Sequence, residues 1–488
     1  MEQILYFSTR GDEKRVSAGE AILKGIADDG GLFVPSFIPR FTYPLGELAS
    51  LSYQELAYEV LKLFLTDFTE DELTNCIREA YSEATFSTEK IAPLAEKDGD
   101  YFLELFHGKT LAFKDMALSI LPHLMKTAAK KTTTHKKIVI LTATSGDTGK
   151  AALEAFAYVE GIDIIVFYPL HGVSHVQKMQ MTTQEGDNTA VIGIEGNFDD
   201  AQAGVKSIFA NSEVPGDVVF SSANSINIGR LLPQIVYYFY AYAQLLQKDA
   251  IVAGELVNFT VPTGNFGNIL AGWYAKKMGL PINKLICASN DNKVLYDFFK
   301  TGHYNKNREF VLTESPSMDI LLSSNLERLL FHLQNDSHAV KEWMTSLQTD
   351  GHYHFNGTTE DFAGVFASGP EMHDAIRKAY RKNYVPDTHT AVAYAAYQKY
   401  LLETGDCTKN IFVATASPFK FAEAVYSAIG PGTFEGDAFE ATNRLSKLTG
   451  LEVPAQIKDL ATKEIRHKSD CHPHEMESCV MEIIKRRA

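Results

Sequence analysis

From Ile138 onward the chain alternates short, uninterrupted apolar runs with helical segments. Few architectures satisfy that alternation. The runs are IVILT (138–142), IDIIVFYP (162–169), AVIGIEG (190–196), VVFSSA (218–223), LVNFTVPT (256–263), LICAS (285–289) and IFVATA (411–416). Each is rich in β-branched or aromatic residues and lacks the polar–apolar alternation of a sheet with one wet face, so each reads as a strand covered on both sides. Between them lie KAALEAFAYVE, a segment from Asp199, LLPQIVYYFYAYAQLLQ and ILAGWYAKKMG, all with helical spacing of apolar residues. Strands buried on both faces and separated by helices imply an α/β fold with parallel sheets.

Residues 1–95 differ in texture. SYQELAYEVLKLF and DELTNCIREAYS are helical patterns, and DDGGLFVPSFIPRF is rich in turns, which suggests a mostly helical N-terminal unit. Residues 291–360 are more polar and read as an insertion or lid, and the last stretch reads as helices packing back on the body. The net charge of −15 argues against a nucleic-acid partner and, taken alone, against a polyanionic small ligand. The five cysteines are odd in number and mostly far apart, which points to a reducing, cytoplasmic setting. Neither an N-terminal signal pattern nor an apolar stretch long enough to span a membrane is expected.

Three places could carry chemistry. Thr144-Ser145-Gly146-Asp147-Thr148-Gly149 follows IVILT and opens a helix, and Gly264-Asn265-Phe266-Gly267-Asn268 follows LVNFTVPT and opens another. Loops at the carboxyl ends of parallel strands are where such folds bind ligands. Glycines and outward backbone N–H groups at a helix start suit a carboxylate or phosphate. One such loop alone reads equally as an ordinary tight turn. Neither matches dinucleotide or P-loop spacing. The third is Lys114, at the head of an apolar helical pattern. Held against apolar surface its amine would be nucleophilic; the alternative is a lysine reaching for water or pairing with Asp115.

Together, HGKTLAFKDMAL, ATSGDTG, SANSINIGR (222–230), VPTGNFGN and ATASPFKF (414–421), in that order, closely resemble the threonine synthase family. The likeness runs from YFSTRG (6–11) to ATASPFKF, and its phrasing is similar to the longer, yeast- and enterobacterial-type branch. The resemblance implies a fold-type II pyridoxal-phosphate enzyme, tryptophan synthase β-like, with two parallel-sheet α/β domains and a mostly helical N-terminal domain. The expected partition is 1–95 for the N-terminal domain, 96–135 with 250–488 for a large cofactor domain, and 136–249 for a small domain carrying the substrate-carboxylate loop.

By the same resemblance, Lys114 would hold pyridoxal 5'-phosphate as a Schiff base. Gly264, Asn265, Phe266, Gly267 and Asn268 would cradle the cofactor phosphate. Thr415, ahead of Ser417, would face the ring nitrogen. Thr144, Ser145, Asp147 and Thr148 would hold the substrate carboxylate, with Asp147 shaping the loop because an Asp repels a carboxylate. Arg230, with Asn227, would meet the substrate phosphate. The implied reaction is a carbon–oxygen lyase step in threonine biosynthesis, O-phospho-L-homoserine and water giving L-threonine and phosphate. A phospholyase or a threonine/serine dehydratase on the same scaffold is the rival. The expected partner is that small substrate, with no nucleic acid or membrane; monomer and homodimer stay open.

Other features receive plain readings. Cys471, His472, His474 and Cys479 fit no common zinc spacing, so no metal is expected. His107 reads as structural, and Asp387-Thr388-His389-Thr390 reads as a helix cap without assigned chemistry.

Overall fold

A computed structural model describes residues 3–132, 136–144, 146–171, 173–211, 216–432 and 434–487. Among these, two sheets dominate. The six-stranded sheet has the order Phe362–Phe366, Ile282–Ser289, Val257–Pro262, Asn410–Ala414, Asp100–Glu104, Leu94–Lys97, parallel except for the last strand. The five-stranded sheet has the order Ser469–Cys471, Thr189–Ile194, Ile162–Pro169, Lys137–Ala143, Val218–Ser221, and is parallel throughout. Every apolar run singled out above forms a strand. Ile162–Pro169 is buried at all eight positions, as a strand covered on both faces should be.

The helices follow from their faces and caps. Tyr53–Leu61 and Glu70–Ala80 begin with capping boxes, Ser52 with Glu55 and Thr69 with Glu72, which satisfy N–H groups that a helix start leaves unpaired. Ile228–Gln247 is apolar nearly all round, so it must be enclosed. It packs against Gly267–Met278 on one side and Tyr53–Leu61 on another.

Two placements bear on how the units are built. Ile228–Gln247 packs on Leu45–Ser50 and Tyr53–Leu61 of the N-terminal unit and on Gly267–Met278, in a core that also takes in Ile138, Leu153 and Ile164. The end of the chain joins the five-stranded sheet: Ser469–Cys471 pairs with Thr189–Ile194, and Met476–Arg487 contributes Met476, Val480 and Ile484 to that sheet's core. Both follow from burial, since an all-apolar helix needs cover and an unpaired edge strand needs a partner. The polar stretch 291–360 holds the helices Val294–Thr301, Leu326–Gln334 and Ser337–Thr349, and Val294, Leu295, Leu329 and Tyr353 among its apolar residues enter the main core.

The N-terminal unit is hydrogen-bonded to the body. Tyr81 Oη donates to Met116 O at 2.7 Å, Asn227 Nδ2 donates to Ile22 O at 2.9 Å, and Arg328 Nε donates to Phe33 O at 2.9 Å.

Candidate active site

Val257–Pro262, Asn410–Ala414 and Asp100–Glu104 are adjacent strands. Neighbouring strands lie about 4.8 Å apart, so whatever follows their carboxyl ends is gathered within about 10 Å. Gly264 follows the first, Thr415 the second, and the segment leading to Lys114 the third. That segment is stitched to the Thr415 loop: Phe113 N donates to Thr415 O at 2.8 Å, Ser417 N donates to Leu111 O at 3.1 Å, and Ala112 bridges Ala416.

Lys114 opens the short helix Asp115–Leu118, and its side chain is 12% exposed. Its Nζ donates to Ser317 Oγ at 3.4 Å and lies 3.9 Å from Asp147 Oδ2. Burial lowers its pKa to about 8, helped by the positive charges of Lys420 and Arg230 and opposed by Asp147 and Asp115. Asp115 does not pair with it directly. It accepts from Thr110 N and Thr110 Oγ1 at 2.8 and 2.6 Å, and burial raises its pKa to about 6.

Asp147 is not free to meet a ligand. Its Oδ1 forms an ion pair with Lys420 Nζ at 2.8 Å and accepts from Gln177 Nε2 at 3.0 Å, and its Oδ2 accepts from Ser317 Oγ at 3.3 Å. Burial works to raise its pKa, but Lys420 and Lys114 outweigh that and hold it well below the usual carboxylate range. Lys420 therefore cancels the repulsion that an Asp in this loop would present to an anion. Thr144 Oγ1 accepts from Gly146 N at 2.9 Å and Gly149 N at 2.8 Å, so it shapes the turn. Gly146 has φ +136°, and a Cβ there would meet Gln177 at 2.5 Å. Thr148 lies in the first turn of the helix Asp147–Phe156, half-buried. Ser145 lies outside the described residues.

In the second loop Phe266 has φ +64° and caps the helix Gly267–Met278. A Cβ on Gly264 would stand 2.4 Å from Ser317 O. Asn265 O accepts from Asn325 N and Nδ2 at 3.2 and 2.9 Å. Asn268 Oδ1 accepts from Tyr237 and Tyr238 hydroxyls at 2.7 and 2.8 Å, and its Nδ2 is a buried donor without a partner among the described residues. Arg230 is a second such case. Its Nη1 donates to Ala223 O at 2.6 Å, its Nε has no partner among the described residues, and burial lowers its pKa to about 10. Unpaired buried donors beside a helix start suit a bound phosphate.

Asn227 does not suit the substrate-phosphate role given it above. Its Nδ2 donates to Ile22 O and Ser222 O, both at 2.9 Å, and its Oδ1 accepts from Gly229 N at 2.9 Å. Both amide hydrogens are spent on backbone carbonyls, so it is a helix cap. The sequence does not single out two residues of this site, Lys420 and Ser317, and it offers His389 and Asp387 only as part of a helix cap. His389 Nε2 accepts from Ser317 N at 3.0 Å, and its Nδ1 donates to Asp387 Oδ2 at 2.7 Å. Thr390 Oγ1 donates to Asp387 and accepts from Thr415 N at 3.3 Å, which carries the same network to the other expected cofactor contact. His107 is held by Glu104, 2.9 Å from its Nε2.

A buried lysine of lowered basicity, a glycine-rich helix start with spare donors and a hydroxyl just past the intervening strand define an enzyme of the pyridoxal-phosphate class. Residues 89–415 match the family model described as pyridoxal-phosphate dependent enzyme. Residues 5–81 match the threonine synthase N terminus, and 390–475 the threonine synthase C-terminal region. The chain belongs to the threonine synthase family. It is 36% identical over 502 residues to threonine synthase of Saccharomyces cerevisiae, covering 94% of this chain and 96% of the relative. It is 40% identical over 440 residues to threonine synthase of Pseudomonas aeruginosa, covering 87% and 90%. The crystal structure of pyridoxal-phosphate-bound threonine synthase from Brucella melitensis superposes with a TM-score of 0.85 at 35% identity, covering 99% of both chains.

Proposed function

We infer that this chain is a threonine synthase, a lyase that converts O-phospho-L-homoserine and water to L-threonine and phosphate with bound pyridoxal 5'-phosphate. The carrying observation is the convergence of Lys114, the Gly264–Asn268 loop and Thr415 at the carboxyl ends of three adjacent strands in a chain alike along its whole length to threonine synthases. When bound at Lys114, the cofactor supplies an electron sink for charge developing on the substrate carbons.

The remaining steps belong to the chain's own residues. Lys114 would hold the cofactor, and its neutral amine would take the substrate's Cα proton at Nζ. The same amine serves in the later proton transfers at Cβ. The Gly264–Asn268 backbone and Asn268 Nδ2 would hold the cofactor phosphate, and the Thr415 hydroxyl would serve the ring nitrogen as a neutral partner. The Thr144–Thr148 turn receives the substrate carboxylate through its backbone, with Asp147 neutralised by Lys420. Arg230 offers its unpaired Nε to the substrate phosphate and stabilises that group as it leaves.

Borohydride treatment of the purified protein tests the cofactor assignment. The visible absorbance of the wild type should bleach, leaving the cofactor attached to Lys114, and Lys114→Ala should form no threonine. A colourless reconstituted protein, or label on another lysine, overturns it.

A further inference from the structure

Ser317 sits between two charges. Its Oγ accepts from Lys114 Nζ at 3.4 Å and donates to Asp147 Oδ2 at 3.3 Å, while Lys114 and Asp147 themselves stand 3.9 Å apart. A contact ion pair would be near 2.8 Å, the distance Lys420 keeps from the other oxygen of the same carboxylate. We propose that Ser317 is a positioning residue for Lys114: its hydroxyl is a spacer that keeps the amine from closing onto Asp147 and turns it toward the substrate side. This inference rests on the reading of Lys114 as the cofactor lysine and proton carrier.

Three features place the spacer. Ser317 lies in the one-turn helix Pro316–Met318, seated where a Cβ on Gly264 would otherwise be. Its backbone N–H is held by His389 Nε2, and that ring is oriented by Asp387 through Nδ1. Asp387 is 1% exposed and caps the helix Thr388–Thr404. A neutral histidine accepting at Nε2 and donating at Nδ1 fits both neighbours. The spacer is therefore fixed by the six-stranded sheet's elements, while the carboxylate it holds off belongs to the five-stranded sheet's first loop.

The consequence is chemical. A lysine in contact with a buried carboxylate stays protonated and is a poor base and a poor nucleophile; one held away from it releases its proton more readily. The groups facing Lys114 are Asp147 and Asp115, which favour its charge, Lys420 and Arg230, which oppose it, and the His389–Ser317 arm.

The test is the titration of Lys114 in full-length apoprotein. Trace labelling with an aryl fluoride across pH and peptide mapping give the midpoint of Lys114 reactivity. Ser317→Ala should raise that midpoint by about one unit, the effect of an opposite charge brought into contact. In the loaded enzyme the same variant should lose about tenfold in kcat at neutral pH, regain most of it at higher pH, and keep KM within about twofold. Ser317→Thr keeps the hydroxyl and should keep the wild-type midpoint. A midpoint in Ser317→Ala that stays or falls, in protein whose melting temperature matches wild type, overturns the spacer. If Ser317→Ala does not fold, Ser317→Thr decides: an unchanged midpoint supports the proposal and a raised one contradicts it. The labelling needs no substrate. A wild type that makes no threonine would sink the reaction assigned above while leaving this measurement to stand or fall separately.

Discussion

Lys420 and Asp147 form an ion pair at 2.8 Å with side chains 0% and 4% exposed. Lys420 follows the strand Asn410–Ala414 of one sheet, and Asp147 follows Lys137–Ala143 of the other. The pair joins the two sheets at the point where their ligand loops meet. Removing one member leaves a buried charge without compensation. Lys420→Met should cost about 3–5 kcal/mol of stability, and the double variant with Asp147→Asn should cost less than the sum of the two. Thermal or urea unfolding measures both. The sign with pH follows from Asp147: its folded pKa is depressed, so its stabilisation is complete above the unfolded value of roughly 4 and declines as pH falls below that.

Lys114, with its pKa lowered to about 8, gives a pH dependence that does not need turnover. The neutral amine is the nucleophile, so capture of pyridoxal phosphate by the apoprotein should speed up as pH rises through about 8 and then level. Stopped-flow absorbance reads the rate. Because the folded pKa lies below the unfolded one, this lysine adds stability with rising pH between about 8 and the ordinary lysine value of roughly 10.4. A capture rate that rises only near the ordinary lysine value would contradict a buried Lys114.

Gly264 should not tolerate a side chain. The Cβ of Gly264→Ala would stand 2.4 Å from Ser317 O, a backbone atom that cannot swing away. The loop carrying Ser317 and the loop that cradles phosphate must then separate. We expect cofactor affinity to fall at least about tenfold, equal to about 1.4 kcal/mol, with a lower melting temperature in the presence of cofactor.

Asn227 and Arg230 should behave differently although three residues apart. Asn227→Ala removes a helix cap and strands two buried carbonyls, and should lower stability by about 1–3 kcal/mol. Arg230→Ala should raise KM for the phosphorylated substrate with a smaller change in melting temperature. Added inorganic phosphate should compete with substrate in the wild type and less in the variant. A KM untouched by Arg230→Ala would make it structural.

The strands were legible because each is an uninterrupted apolar run, and burial on both faces demands that. Ser469–Cys471 was not, since three polar-leaning residues, SDC, carry no periodicity and are strand only because the edge at Thr189–Ile194 accepts them. Lys114 and the glycine loops were readable as chemistry because a lysine heading an apolar helix and glycines past a strand end are locally odd. Lys420 in PFKF and Ser317 in ESPSMD are locally ordinary. Their meaning arises from contacts spanning 273 and 170 residues of sequence to Asp147, which local pattern cannot encode. Asn227 misled for the opposite reason: beside an arginine at a helix start it looks like a ligand, and only the positions of Ile22 O and Ser222 O show that its amide is spent.

The net charge of −15, taken alone, disfavours an anionic ligand. Lys420 and Arg230, near enough to Lys114 to shift its proton affinity, answer that locally, since total charge says nothing of the charges around a buried site. The most direct measurement is product analysis with O-phospho-L-homoserine as sole substrate, following threonine, 2-oxobutyrate and phosphate together. Threonine and phosphate in equal amounts, lost in Lys114→Ala, is the predicted result. Phosphate released with 2-oxobutyrate in place of threonine, or no turnover of this substrate, would contradict the account.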